Sequence, residues 1–115
     1  MANRVLFLGW SRPIAGREQQ ATQLFQKCME FYTTLQGDGR IESFEPVILS
    51  AHGGDLNGFV LLRGDAQKLA EVREDDTFSD LVTEAVYCLE GFGVVLGYIG
   101  EGLAEVFSRW SKHVK

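Results

Sequence analysis

Two apolar runs in the middle of the chain, RIESFEPVIL (Arg40–Leu49) and GFVLLRG (Gly58–Gly64), are separated only by SAHGGDLN. A connection this short and glycine-rich has no room for the crossover that joins parallel strands, so the two runs pair as an antiparallel hairpin. That excludes a doubly wound parallel sheet, in which helices alternate with every strand.

The remaining elements fall around this hairpin. RVLFLGW, Arg4 to Trp10, is an apolar run of strand length, ended by the turn-like SRPIAG. From Arg17 the apolar positions Ala21, Leu24, Phe25, Cys28, Met29, Tyr32 and Leu35 recur at helical spacing, until Gly37 to Gly39 stop the helix. Pro46 makes the second strand an edge strand or places a bulge in it. Asp65 caps a short helix carrying Ala66, Leu69, Ala70 and Val72. Thr77, with Asp80 three residues on, caps another carrying Phe78, Leu81, Val82, Ala85 and Leu89, and the two pieces read as one broken crossover. LEGFGVVLGYIGEGL, Leu89 to Leu103, supplies the last strand; Leu103, Val106, Phe107, Trp110 and Val114 then form an amphipathic tail helix, fraying from Lys112 to Lys115.

The order strand, helix, strand, strand, helix, strand, helix predicts an α+β fold: a ferredoxin-like βαββαβ antiparallel sheet with strands in the order 4, 1, 3, 2, both crossover helices on one face, and an extra C-terminal helix. A length of 115 residues is that of one domain spanning 1–115. The first, third and fourth strands are apolar at both parities, as VLFLGW, FVLL and FGVVLGYI show, which marks burial on two faces. The crossover helices cover one face only, and the other would expose a large apolar patch. A second subunit is the economical cover, with a tail helix folding back as the alternative.

In the last strand Gly91, Gly93 and Gly97 share a parity with Val95 and Ile99, so one face is stripped of side chains. A closely packed helix or a ligand is expected there. The stretch is no nucleotide fingerprint: Gly91 and Gly93 are followed three residues later by a leucine, and the segment follows a helix where a fingerprint follows a strand.

A net charge of −5, without any dense Lys/Arg run, argues against nucleic acid or an anionic membrane as partner. No apolar stretch approaches the roughly 20 residues of a membrane helix, and the start carries no secretory signal, so a cytoplasmic protein is expected. Cys28 and Cys88 fall in apolar helix stripes without metal spacing and read as free buried thiols. Two histidines and two separated cysteines give no ligand set, so neither metal nor cofactor is expected.

VLFLGW leading into GREQQATQLF, then DGRIESFEPVIL, GGDLNGFVLLRGD, DTFSDLV and GFGVVLGYIGEGL together resemble the dimeric α+β barrel superfamily of ferredoxin-like proteins, and look like a small bacterial family within it. That superfamily includes small cofactor-independent monooxygenases, muconolactone isomerase-like enzymes, and EthD-like and stress-responsive proteins. The resemblance implies that two sheets pack face to face into a homodimeric barrel, with a pocket between sheet and helices in each subunit. It covers nearly all of the chain and is one of layout; no catalytic motif transfers residue by residue.

In the expected topology the ends of strands one and two and the starts of strands three and four share one sheet edge. Trp10, Ser11, Arg12, His52, Asp55, Asn57 and Gly91 become neighbours there, with Gly93 just beyond. His52 is the candidate general base with Asp55 fixing its tautomer, against the plainer reading of HGGD as a solvated turn. Arg12 is a candidate clamp for a ligand carboxylate, or a surface arginine before Pro13. Trp10, Asn57, Gly91 and Gly93 are candidate ligand contacts. Glu42 and Glu45 have opposite parity and cannot act as a carboxylate pair without a bulge at Pro46, while Tyr32, Tyr87 and Tyr98 read as core. The function expected is that of a cofactor-independent enzyme, of monooxygenase or isomerase type, acting on a small hydrophobic or aromatic compound. The alternative is a non-catalytic ligand-binding or stress-associated module.

Overall fold

A computed structural model describes residues 1–114. The elements run β1 (Arg4–Trp10), β2 (Arg12–Pro13), α1 (Glu18–Gly37), β3 (Ser43–Ile48), β4 (Gly58–Gly64), α2 (Ala66–Arg73), α3 (Asp76–Cys88), β5 (Leu89–Glu90), β6 (Gly93–Tyr98) and α4 (Gly102–Ser111). The main sheet has four antiparallel strands in the order β3-β4-β1-β6, the arrangement expected from the hairpin and the two crossovers. The end of the expected frayed tail, Lys115, lies outside the described residues.

Register explains which side chains form the core. Leu6 pairs with Leu62 and Leu96, and Leu8 with Val60 and Val94, so these residues share the face on which the crossover helices lie. Leu6, Leu8, Val60 and Leu62 are buried there with Tyr32 and Leu35 of α1, Leu69 and Val72 of α2, and Phe78 of α3. The β3–β4 ladder runs through Pro46 opposite Val60 without a shift, so the proline sits in an edge strand and no bulge forms.

Helix starts follow side-chain chemistry. Asp65 Oδ1 accepts the Lys68 amide at 2.8 Å and opens α2 as expected. The cap of α3 is Asp75, not Thr77: Asp75 Oδ1 accepts the Phe78 amide at 3.1 Å, which places Thr77 inside the first turn. Glu74 and Asp75 alone separate α2 from α3, so the residue that ends the break also has to cap. Leu89, expected on the helix face, instead turns extended and enters a two-stranded ribbon with β2. The Ser11 amide donates to the Glu90 carbonyl at 2.8 Å and the Ile14 amide to the Cys88 carbonyl at 2.9 Å, which fastens the end of β1 to the end of α3.

The other face of the sheet carries Val5, Phe7, Phe59, Leu61, Val47 and Val95. The Phe7 and Phe59 rings stack at 5.1 Å while remaining half-buried, and Val95 is 59% exposed, so among the described residues no element covers the middle of this face. The glycines of β6 belong here. Gly97 is paired with Val5 and Gly93 with Gly9, on the side away from the helices. The expectation of a packed helix is therefore corrected: the space at Gly97 is taken by the Val5 side chain, and Gly93 faces open space. Gly91 lies outside the strand, in a turn with φ +65°.

Candidate functional site: an apolar cavity between sheet and helices

α1 and α3 do not close completely on the sheet. Between them lies a cavity of about 340 Å³. Its sheet side is Leu8, Trp10 and Val60; Leu24, Phe25, Cys28, Met29 and Tyr32 come from α1; Phe78, Leu81, Val82 and Ala85 come from α3. Pro13 and Leu89 of the small ribbon, with Ile48 and Phe92, complete the wall. Among the described residues no aspartate, glutamate, lysine, arginine or histidine lines it.

Trp10 reaches the cavity because the residue across from it in β4 is Gly58, where a Cβ would come within 2.6 Å of the indole. The absent side chain lets the ring lie over the strand, edge-on to Phe25 at 6.2 Å. The polar groups of the wall are few. The Thr22 hydroxyl is already bonded to the Glu18 carbonyl at 3.0 Å. Cys28 and Tyr32 stand one helical turn apart on α1. Burial pushes the Cys28 thiol up, and a hydrogen bond with Tyr32 only partly offsets this. Burial pushes the Tyr32 phenol up as well, with Cys28 beside it acting in the same direction. Both groups are neutral at neutral pH, so the whole wall is uncharged.

The sheet edge expected to gather the site residues does bring their backbones together: the Asn57 amide donates to the Trp10 carbonyl at 3.0 Å, and Gly91 lies beside Ser11. Of the side chains named from sequence, Trp10 alone lines the cavity. His52 is exposed, and its ring is used within its own loop: the Gly54 amide donates to Nδ1 at 3.2 Å, so Nε2 carries the proton and donates to the Leu56 carbonyl at 2.8 Å. The expected His52–Asp55 pair is not formed. What Asp55 offers is its backbone carbonyl, to the Asn57 side chain at 3.3 Å. Arg12 is exposed on the ribbon, its Nε 3.8 Å from the Glu90 carboxylate, and does not face the cavity. Gly91 and Gly93 line no part of it. Cys28, Met29, Tyr32 and Val82 do, and they were read as core because a cavity wall has the same apolar helical spacing as a core. Among the described residues no cluster of His, Cys, Asp and Glu could hold a metal ion, and no helix is long and apolar enough to cross a membrane.

By sequence, no family model and no curated protein matches the chain. By backbone it is similar to a dimeric protein of unknown function and ferredoxin-like fold from Bacteroides fragilis NCTC 9343, with a TM-score of 0.60 and 9% identity over 84% of this chain and 96% of that one. It is also similar to SnoaB, a cofactor-independent oxygenase from Streptomyces nogalater, with a TM-score of 0.51 and 16% identity over 86% of this chain and 93% of that one. At these identities the likeness is one of fold: the chain has the ferredoxin-like α+β architecture.

Proposed function

We propose that the protein is a homodimer, joined through the open sheet face, that binds one small, uncharged aromatic compound in the cavity of each subunit. The observation that carries this is the cavity itself, about 340 Å³ walled almost wholly by apolar side chains and by no charge. Protein interiors pack to crystal density, so an apolar gap of this size between helices and sheet departs from ordinary packing and is room that a bound molecule would fill. Its volume is that of small-molecule sites, and its aromatic wall of Trp10, Phe25, Phe78 and Phe92 suits a flat ring. An ionised ligand would enter without a counter-charge and is disfavoured.

A second reading is favoured by the likeness to a cofactor-independent oxygenase: turnover of the bound compound. Tyr32 and Cys28, held neutral by burial, would serve it as hydrogen-bonding groups toward a hydroxyl or carbonyl of the ligand, not as bases.

Binding is measured by Trp10 fluorescence in a Trp110→Phe background. Neutral 1-naphthol is expected to quench Trp10 saturably, while 1-naphthoate, of similar size but anionic, binds at least ~10-fold more weakly. Val82→Phe, which fills the cavity, is expected to lower the affinity for 1-naphthol by ~10-fold or more with the fold intact by circular dichroism. The absence of saturable quenching, or equal affinity in Val82→Phe, removes the assignment.

A further inference from the structure

The C-terminal helix is held firmly at one end and unpartnered along the rest. Gly102, at its start, is buried against the Asn3 carbonyl. Arg4, only 8% exposed, donates to that same carbonyl at 3.0 Å, lies 4.3 Å over the Tyr98 ring and pairs with the Glu105 carboxylate. These contacts fix the first turn of α4 to the end of the sheet. Beyond them Leu103, Phe107 and Trp110 follow one stripe of the helix, and their exposure rises from 42% to 51% and 61%; Val114, past the helix end at Ser111, is 75% exposed. The Phe107 and Trp110 rings touch each other, 5.4 Å apart, and nothing from the body of the chain covers them. A helix anchored by a buried arginine does not fold back over the open sheet face. It presents an apolar stripe to solvent, which soluble chains do when something else covers it.

The occupant follows from area. Strand spacing and rise give the open face of four strands about 20 Å by 20 Å, or roughly 400 Å² on each subunit. A stable dimer usually buries about 800 Å² per partner. Covering the exposed parts of Leu103, Phe107 and Trp110 on α4 adds roughly 300 Å² more, which brings the contact close to the usual size. A lipid surface fits less well, because Glu101 and Glu105 share the helix with Arg109 and Lys112, and the chain carries a net charge of −5.

We propose that α4 is a dimerisation arm whose Leu103–Phe107–Trp110 stripe packs on a second copy of this chain, beyond the edge of the open sheet face. By two-fold symmetry each subunit gives one arm and receives one. The proposal rests on the homodimer reading of the preceding subsection.

Sedimentation equilibrium tests it on four full-length proteins: wild type, Phe107→Glu/Trp110→Glu in the arm, Phe107→Leu/Trp110→Phe as the apolar control, and Val95→Glu on the open face. Wild type is expected to be a dimer, the charged arm variant to raise the dimer dissociation constant by ~100-fold or more, and the apolar control by less than ~10-fold. If wild type and the charged arm variant dimerise equally while Val95→Glu dissociates, the arm is overturned and the dimer through the sheet stands. A wild type that stays monomeric at high micromolar concentration overturns both. A second readout covers the case of a poorly folded arm variant: in a Trp10→Phe background, Trp110 emission is expected to shift to the blue as concentration rises, in step with dimerisation. Emission independent of concentration across the association range overturns the arm.

Discussion

Gly102 and Gly37 illustrate how differently two glycines constrain the same chain. At Gly102 a Cβ would lie 2.1 Å from the Asn3 carbonyl oxygen, a backbone atom that no rotamer change can move. At Gly37, the last residue of α1, a Cβ meets nothing within 4 Å and φ is not positive. Gly102→Ala is therefore expected to lose ~1–3 kcal/mol and to strip hydrogen-exchange protection from the α4 amides first. Gly37→Ala is expected to gain ~0.5 kcal/mol by restricting the unfolded chain. Thermal melts with exchange read by mass spectrometry separate the two. Little of this scale was visible in the sequence. Trp10 stood out at the end of an apolar strand. Tyr32 and Cys28 did not, since the spacing that puts them on the wall of a cavity is the spacing that puts Leu24 and Leu35 in the core. His52 looked like chemistry and serves instead as the clasp of its own loop, a distinction set by where the Gly54 amide and Leu56 carbonyl point.

At the scale of elements, α3 depends on its cap. Asp75 accepts the Phe78 amide and pairs with Arg40, whose Nη1 lies 3.0 Å from Oδ2. The bond from Phe78, then those from Arg40, hold the carboxyl below the usual aspartate range, with burial opposing. A group whose folded pKa is depressed contributes stability above its unfolded pKa and loses it as pH falls through the folded one. The advantage of wild type over Asp75→Asn, which keeps a capping oxygen but no charge, is thus expected to be full near pH 6, to begin to fall as the pH drops through about 4, and to vanish only once it is below the depressed folded pKa, in urea unfolding experiments. Asp75→Ala is expected to cost ~1 kcal/mol at neutral pH. The long periodic α1, the hairpin and the Asp65 cap were legible because each rests on local chemistry. Asp75 and Thr77 are both good caps two residues apart, and which one acts depends on where α2 stops. The β2–β5 ribbon was illegible, because two-residue strands have no period and exist only because β1 and α3 end side by side.

Across the whole molecule, the radius of gyration is 15.5 Å and the extents are 51 × 37 × 22 Å, whereas a compact chain of this length has a radius near 13 Å. An outstretched shape with an apolar sheet face and an apolar helix stripe is what the proposed dimer requires. Light scattering is expected to give twice the chain mass for wild type and one chain mass for Val95→Glu. The two-sided apolar strands announced the uncovered sheet face in the sequence; the anchoring of α4 by Arg4, which decides whether the tail shields that face, was not legible there. The sheet also ends differently on its two sides. β3 finishes it with a proline and a glutamate, which discourage further strands from joining. β6 finishes it with GVVLGY, six residues without charge or proline and with a strand on one side only. Its outward amides and carbonyls form a template that another extended chain can continue, so any fibrillar or sheet-like growth of this protein has one favoured seam, and that seam lies beside the helix that we assign to dimerisation.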